Sequence, residues 1–157
     1  MPSDPAERAK LAADVPAAEA REGYQSVSFQ TLSGFDFPVD GQGQPLPWGE
    51  LPPEIGALDK TAVALSGYMI PVEMDQGKVT TLLLVRNQLL CCFGQEPKIN
   101  EWVFVLAQPP VEAVTDVPVT LFGVLDAHVD VEDNQVLSLY RMLAEDMEVT
   151  KSSSSRK

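Results

Sequence analysis

The feature that most constrains this chain is a pair of apolar runs set back to back, "TAVALSGYMIPVEM" and "KVTTLLLVRN", separated only by "DQG". Runs rich in β-branched and aliphatic residues around so short a polar connection predict a β-hairpin. The first run places Val63, Leu65, Gly67 and Met69 on one parity. A glycine inside such a run forfeits packing, so Gly67 is expected to mark a bend or bulge. The same design recurs near the C-terminus, where "VPVTLFGVLDAHVDV", with Gly123 at its centre, turns through "EDN" into "QVLSLYRMLAEDMEV". Between the two hairpins lies one further strand pattern, "EWVFVLA", flanked by "CCFGQEPKIN" as a bend and "QPPVEAVTD" as a connection.

Five strands, two of them long and interrupted by glycine, suit a small all-β domain in which the long strands serve both halves of a coiled sheet. The expected architecture over residues 59–149 is a five-stranded antiparallel OB-like β-barrel, with a β-sandwich as the alternative. Same-parity apolar positions predict a core of Val63, Leu65, Leu82, Leu84, Val103, Val105, Leu121, Val124, Leu137 and Leu139.

A chain of 157 residues suffices for one such domain with extensions. Residues 1–23 are rich in Ala, Glu and Pro, and are expected to form a flexible arm that buries little. Residues 24–58 carry Phe29, Leu32, Phe35 and Phe37 as anchors, then a Gly/Pro-rich stretch and a helical turn after Pro52 and Pro53; they read as a lead-in packed on the barrel. Residues 150–157, including "KSSSSRK", read as a disordered tail.

The charge balance limits the partners. There are 11 Lys and Arg against 23 Asp and Glu, a formal net charge of −12. Three of the basic residues, Lys151, Arg156 and Lys157, lie in the tail, which leaves 8 basic against 23 acidic for the rest. Such a body repels phosphate backbones, so nucleic acid is not an expected partner. The N-terminal "MPSDPAERAKLAADV" lacks the apolar core of a signal peptide. Either the protein is cytoplasmic or this is a mature, trimmed form.

The only two cysteines are adjacent, Cys91 and Cys92. Their α-carbons stand about 3.8 Å apart across a trans peptide, whereas an unstrained disulfide needs roughly 4.4–6.8 Å, so they are expected to be reduced and not bonded to each other. As zinc or copper ligands they would need partners from a poor set, one His128 and the nearby Glu96 and Glu101. As nucleophiles they would need a base, for which His128 is the sole histidine. The bland alternative makes one a small buried hydrophobe and the other part of the bend.

The polar residues flanking the pair form a second constellation. Arg86, Asn87 and Gln88 follow one strand, while Asn100, Glu101 and Trp102 open the next, so all collect at one end of the domain with Phe93. Asn and Gln there serve tight-bend backbone in the simplest reading. A polar rim beside two aromatic rings also suits a small ligand or a peptide.

Together, "LSGYMIPVE", "LLVRNQLLCCFGQEPKINEWVFV", "DVPVTLFGVL" and "LSLYRM" resemble an uncharacterised bacterial family, a domain of unknown function. Its pattern runs Gly-aromatic-Met-Ile-Pro, Arg-Asn-Gln, Cys-Cys-Phe-Gly, Pro-x-Ile-Asn-Glu-Trp and Ser-Leu-Tyr-Arg-Met, and the likeness spans roughly residues 30–143. Members often carry export or lipoprotein signals, which implies a periplasmic or membrane-anchored protein, tethered through a segment absent from this chain. The resemblance implies no activity, cofactor or catalytic residue. The expected function is a non-enzymatic extracytoplasmic binding or assembly module for an unidentified protein or small ligand. A metal-handling protein using Cys91 and Cys92 and a thiol-dependent enzyme are the alternatives.

Overall fold

A computed structural model describes residues 5–6, 13, 15, 17–18, 21–92, 97–115 and 117–149, with backbone alone at Cys91 and Cys92. Among the described residues, six strands form one mixed sheet: β1 (Gln25–Val27), β2 (Thr61–Asp75), β3 (Lys78–Val85), β4 (Trp102–Val111), β5 (Val119–Glu132) and β6 (Gln135–Val149). Short helices among the described residues include α1 (Phe29–Leu32), α2 (Pro53–Gly56) and α3 (Gln88–Cys92).

Both hairpins are where the sequence puts them, and both turn in two residues. Asp75 pairs with Lys78 across Gln76 and Gly77, and Glu132 pairs with Gln135 across Asp133 and Asn134. All four turn residues have positive φ, between 53° and 84°. That is the hand that matches strand twist, and Asn, Asp and Gly reach it cheaply.

The strand order is β1-β2-β3-β4-β6-β5, and β5 also pairs with β2. The five long strands therefore pair in a ring. All contacts in the ring are antiparallel except β4 with β6, which run parallel through Phe104–Ala107 and Arg141–Ala144. This corrects the antiparallel expectation, and the reason is arithmetic: an odd number of strands in a ring cannot all alternate direction. The sixth strand, β1, was not expected. It pairs parallel with Val63–Leu65, on the edge of β2 opposite β5.

The two interior glycines stand where the long strands change duty. β2 pairs with β5 up to Gly67 and with β3 from Tyr68 onward. A Cβ at Gly67 would lie 2.7 Å from Leu84 and 2.8 Å from the Val85 carbonyl. Gly123 sits at a register shift between β5 and β6, and a Cβ there would lie 1.9 Å from the Leu143 carbonyl oxygen. At both places a side chain is excluded by a neighbouring strand.

Eight of the ten expected core residues are buried; Val124 and Leu137 are 40% and 46% exposed. Gly123 takes the inward position between Leu121 and Leu125, so Val124 points out. Leu137 lies upstream of the β4 contact, where the inner face of β6 opens. The core instead includes Leu125, Met142 and Tyr140, whose buried hydroxyl donates to the Leu32 carbonyl at 2.7 Å. Strand β4 also continues through Pro109 and Pro110, residues expected in a connection. Its pairing to β6 ends at Ala107, so the missing N–H groups break no ladder on that side.

Phe29, Leu32, Phe37 and Ile55 are buried in the same core as the long strands, with Phe35 partly so. Ser28 caps α1 by accepting the Thr31 N–H, and Pro53 opens α2. Val15 and Ala18 are buried too, and the Val15 N–H donates to the Arg86 carbonyl at 3.0 Å. Ala18 joins Ala64, Phe122 and Tyr24 in a small cluster on the outer face, where the Arg21 guanidinium lies 3.4 Å from the Phe122 ring centroid. The same guanidinium pairs with Asp146 at 2.7 Å and with Glu148. The expectation of an N-terminal stretch that buries little does not describe Val15 and Ala18. Small side chains carry a weak hydrophobic signal, yet they are what fits against a sheet face. Residues 150–157, expected as a tail, lie outside the described residues.

Candidate functional site

The last register pair between β3 and β4 is Val85 with Trp102, which sets Arg86 and Glu101 side by side just beyond the sheet. Their side chains form an ion pair at 3.2 Å, both about one-fifth exposed. The other Glu101 oxygen accepts the Lys98 N–H at 2.8 Å, which fixes the carboxylate from two directions. Next to it Asn100 is buried, 4% exposed. Its amide donates to the Phe35 carbonyl at 2.6 Å, while its own carbonyl accepts the Ser33 hydroxyl at 2.8 Å. Asn100 thus clasps the loop after α1 onto the start of β4.

That clasp creates one wall of a cleft. The segment after Phe37 folds back through an Asp40 turn, whose carboxylate accepts the N–H groups of Gln42 and Gln44, with Val39 bridged to Pro45. Between this wall, the Arg86–Glu101 pair and the start of β6 lies a cleft of about 800 Å³. Phe35, Phe37, Val39, Gln44, Val136 and Leu137 line it together with Arg86, Asn100, Glu101 and Trp102. A smaller cavity of about 200 Å³ adjoins it, sharing Trp102 and Leu137 and adding Phe104, Asp130, Ser138 and Arg141. There Arg141 pairs with Asp130 at 3.3 Å and lies 5.4 Å from the Phe104 ring centroid.

Of the residues singled out by sequence, Arg86, Asn100, Glu101 and Trp102 come together in the cleft. Asn87 and Gln88 do not line it. The Asn87 side chain accepts the Leu90 N–H at 3.2 Å, where α3 begins, and Gln88 is the first residue of that helix. Phe93 lies outside the described residues, and so do the side chains of Cys91 and Cys92. Sequence reasoning missed the whole wall from Ser33 to Pro45 and the contribution of β6. The "DGQGQP" turn was the available signal for the wall. Nothing local in "QVLS" announces that its strand borders a cleft.

Among the described residues, no three His, Cys, Asp or Glu side chains are grouped as metal ligands. His128, the candidate base or ligand, is half exposed on β5 with Nδ1 3.8 Å from Asp59. That Asp59 oxygen also accepts the Ala127 N–H at 2.9 Å. No helix among the described residues is long and apolar enough to cross a membrane.

A family model described as "Protein of unknown function (DUF3299)" matches residues 51–149. A crystal structure of a DUF3299 family protein from Pseudomonas aeruginosa PAO1 superposes with a TM-score of 0.57 at 22% identity. The match covers 90% of this chain and 91% of that one, and establishes likeness of fold. No curated protein matches the chain.

Proposed function

The chain belongs to the DUF3299 family, whose description assigns no activity, and from the site itself we propose that it is a non-enzymatic binding module. The observation that carries this reading is the cleft of about 800 Å³, which sets the aromatic Phe35 and Trp102 beside the buried Asn100 and the Arg86–Glu101 pair. The lining mixes polar and apolar groups, and a hollow in which aromatic rings stand beside fixed polar groups is suited to a small ligand or a peptide. We read the ring of five strands, with its one parallel pair, as OB-like, and the cleft as lying at one end of it.

We place the protein outside the cytoplasm, periplasmic or membrane-anchored, on the family resemblance of its signature segments. Its net charge of −12 speaks against a nucleic-acid partner. The site is tested by titrating isotopically labelled protein with a fragment library. Perturbed resonances should collect at Arg86, Asn100 and Trp102; shifts scattered over the surface, or none, defeat the reading. Fractionation of cells expressing the protein from its native gene tests the location, which fails if the protein stays in the cytoplasm.

A further inference from the structure

Three features at the inner end of the cleft narrow what enters it. The first is a strand edge. β6 pairs with β5 from Gln135 onward but with β4 only from Arg141. Among the described residues, the other edge of β6 has no strand partner from Gln135 to Tyr140, and Val136 and Leu137 of that stretch line the cleft. An edge of this kind is a template for one more strand.

The second feature is Ser138. It is 4% exposed, lines the smaller cavity, and its buried hydroxyl has no hydrogen-bond partner among the described residues. A buried hydroxyl is costly to leave unpaired, and a carbonyl brought beside it would relieve that cost. The third feature is charge. Beside the free edge of β6 the two arginines are engaged, Arg86 with Glu101 and Arg141 with Asp130, so a ligand that called on either by a full charge would compete with an ion pair. Asp36 and Lys98 lie among the other lining residues of the cleft and are exposed.

Resting on the binding-module reading, we propose that the occupant is an extended peptide segment of a partner protein. It adds as a strand along the free edge of β6 at Gln135–Ser138, with one apolar side chain in the slot formed by Trp102, Phe104 and Leu137. Main-chain N–H and C=O groups match the edge, and a peptide carbonyl reaches the Ser138 hydroxyl. The net charge of −12 selects a neutral or basic segment over an acidic one.

The test is to pan the full chain against a displayed library of random decapeptides, then measure the enriched sequences as synthetic peptides. Neutral or basic peptides with an apolar residue should emerge, and their binding should slow exchange of those amides within Val136–Ser138 that face the free edge rather than β5. N-methylation should abolish binding at every second peptide residue and be tolerated between, because an added strand turns alternate N–H groups to its neighbour. Ser138→Ala should weaken the peptide about fivefold to tenfold, the worth of one hydrogen bond, without lowering the thermal midpoint.

Binding with no alternation in the N-methyl series, or without protection at Val136–Ser138, overturns strand addition. If no peptide is enriched while fragments still perturb Trp102, the peptide proposal falls and the cleft reading stands. If neither peptides nor fragments bind, both fall.

Discussion

Gly123 shows how one absent side chain governs a contact between strands. Its missing Cβ leaves room for the Leu143 carbonyl, 1.9 Å from where that carbon would stand, at a register shift that neither backbone can easily leave. Gly123→Ala is therefore expected to cost at least about 2 kcal/mol, since overpacking against backbone cannot be relieved by a rotamer change. Gly56, at the end of α2, has nothing within 4 Å of an added Cβ, so Gly56→Ala should be neutral or stabilising by up to about 1 kcal/mol. Denaturant midpoints of the two variants check the contrast. Tyr140 is the other single residue with a measurable signature. Its burial holds the phenol well above its ordinary range, and its hydroxyl serves the Leu32 carbonyl. The folded state thus keeps a proton that the unfolded chain releases above about pH 10, so stability falls as pH rises through that value. Tyr140→Phe should cost about 1–3 kcal/mol at neutral pH by orphaning the carbonyl. It should also flatten the alkaline limb of the stability profile; an unchanged limb would show that Tyr140 is not its source.

At the scale of elements, the segments ahead of β2 are part of the core. α1 supplies Phe29 and Leu32, α2 supplies Ile55, and the stretch before β1 supplies Val15 and Ala18. Covering the outer face of β2 and β5 with Ala18 and Tyr24 explains why Ala64 and Phe122 are buried although they alternate with inward residues. Burying a valine contributes about 1.5–3 kcal/mol as an upper estimate. Deleting residues 1–20 is accordingly expected to lower the thermal midpoint by about 4–8 °C, a size set by the entropy of unfolding of a domain this large. Calorimetry of the truncated chain decides it; a shift below the measurement error would mean that Val15 contributes nothing. Arg21 adds a pH signature, because its hydrogen bond holds the Asp146 carboxyl below the usual carboxylate range. The stability from that contact is present above the unfolded carboxylate value and is lost as pH falls through the depressed one. Both groups are largely solvated, so the acid limb should respond weakly to Arg21→Ala.

For the whole molecule, the open question from the sequence is whether "CCFG" is a site. Cys91 and Cys92 are the last two residues of a short helix whose Leu89 and Leu90 are buried. Protein purified without chelator or a polyhistidine tag is expected to carry well below one zinc or copper per chain, since two adjacent thiolates supply half of a structural zinc shell. Elemental analysis of the native chain and of the Cys91→Ser, Cys92→Ser double variant provides the measurement. One metal per chain in the first and none in the second would make the pair a metal centre.

Alternation, turn chemistry and the two glycines in the sequence determined that the chain is all-β, that two hairpins turn at "DQG" and "EDN", and that Gly67 and Gly123 interrupt long strands. These are local properties, set by period-2 side-chain geometry and by the φ values a residue tolerates. The Arg86, Asn100, Glu101 and Trp102 end of the cleft was legible for the same reason, because strand pairing carries the residues that flank two adjacent strands to one place. What only the tertiary structure decided is non-local. The parallel pairing of β4 with β6 follows from running an odd number of strands around a ring. Strand β1 and the docking of Val15 and Ala18 depend on faces that small, weakly hydrophobic segments happen to fit. The far wall of the cleft exists because one buried Asn100 ties the loop after α1 to β4, a contact across 65 residues that no local pattern encodes.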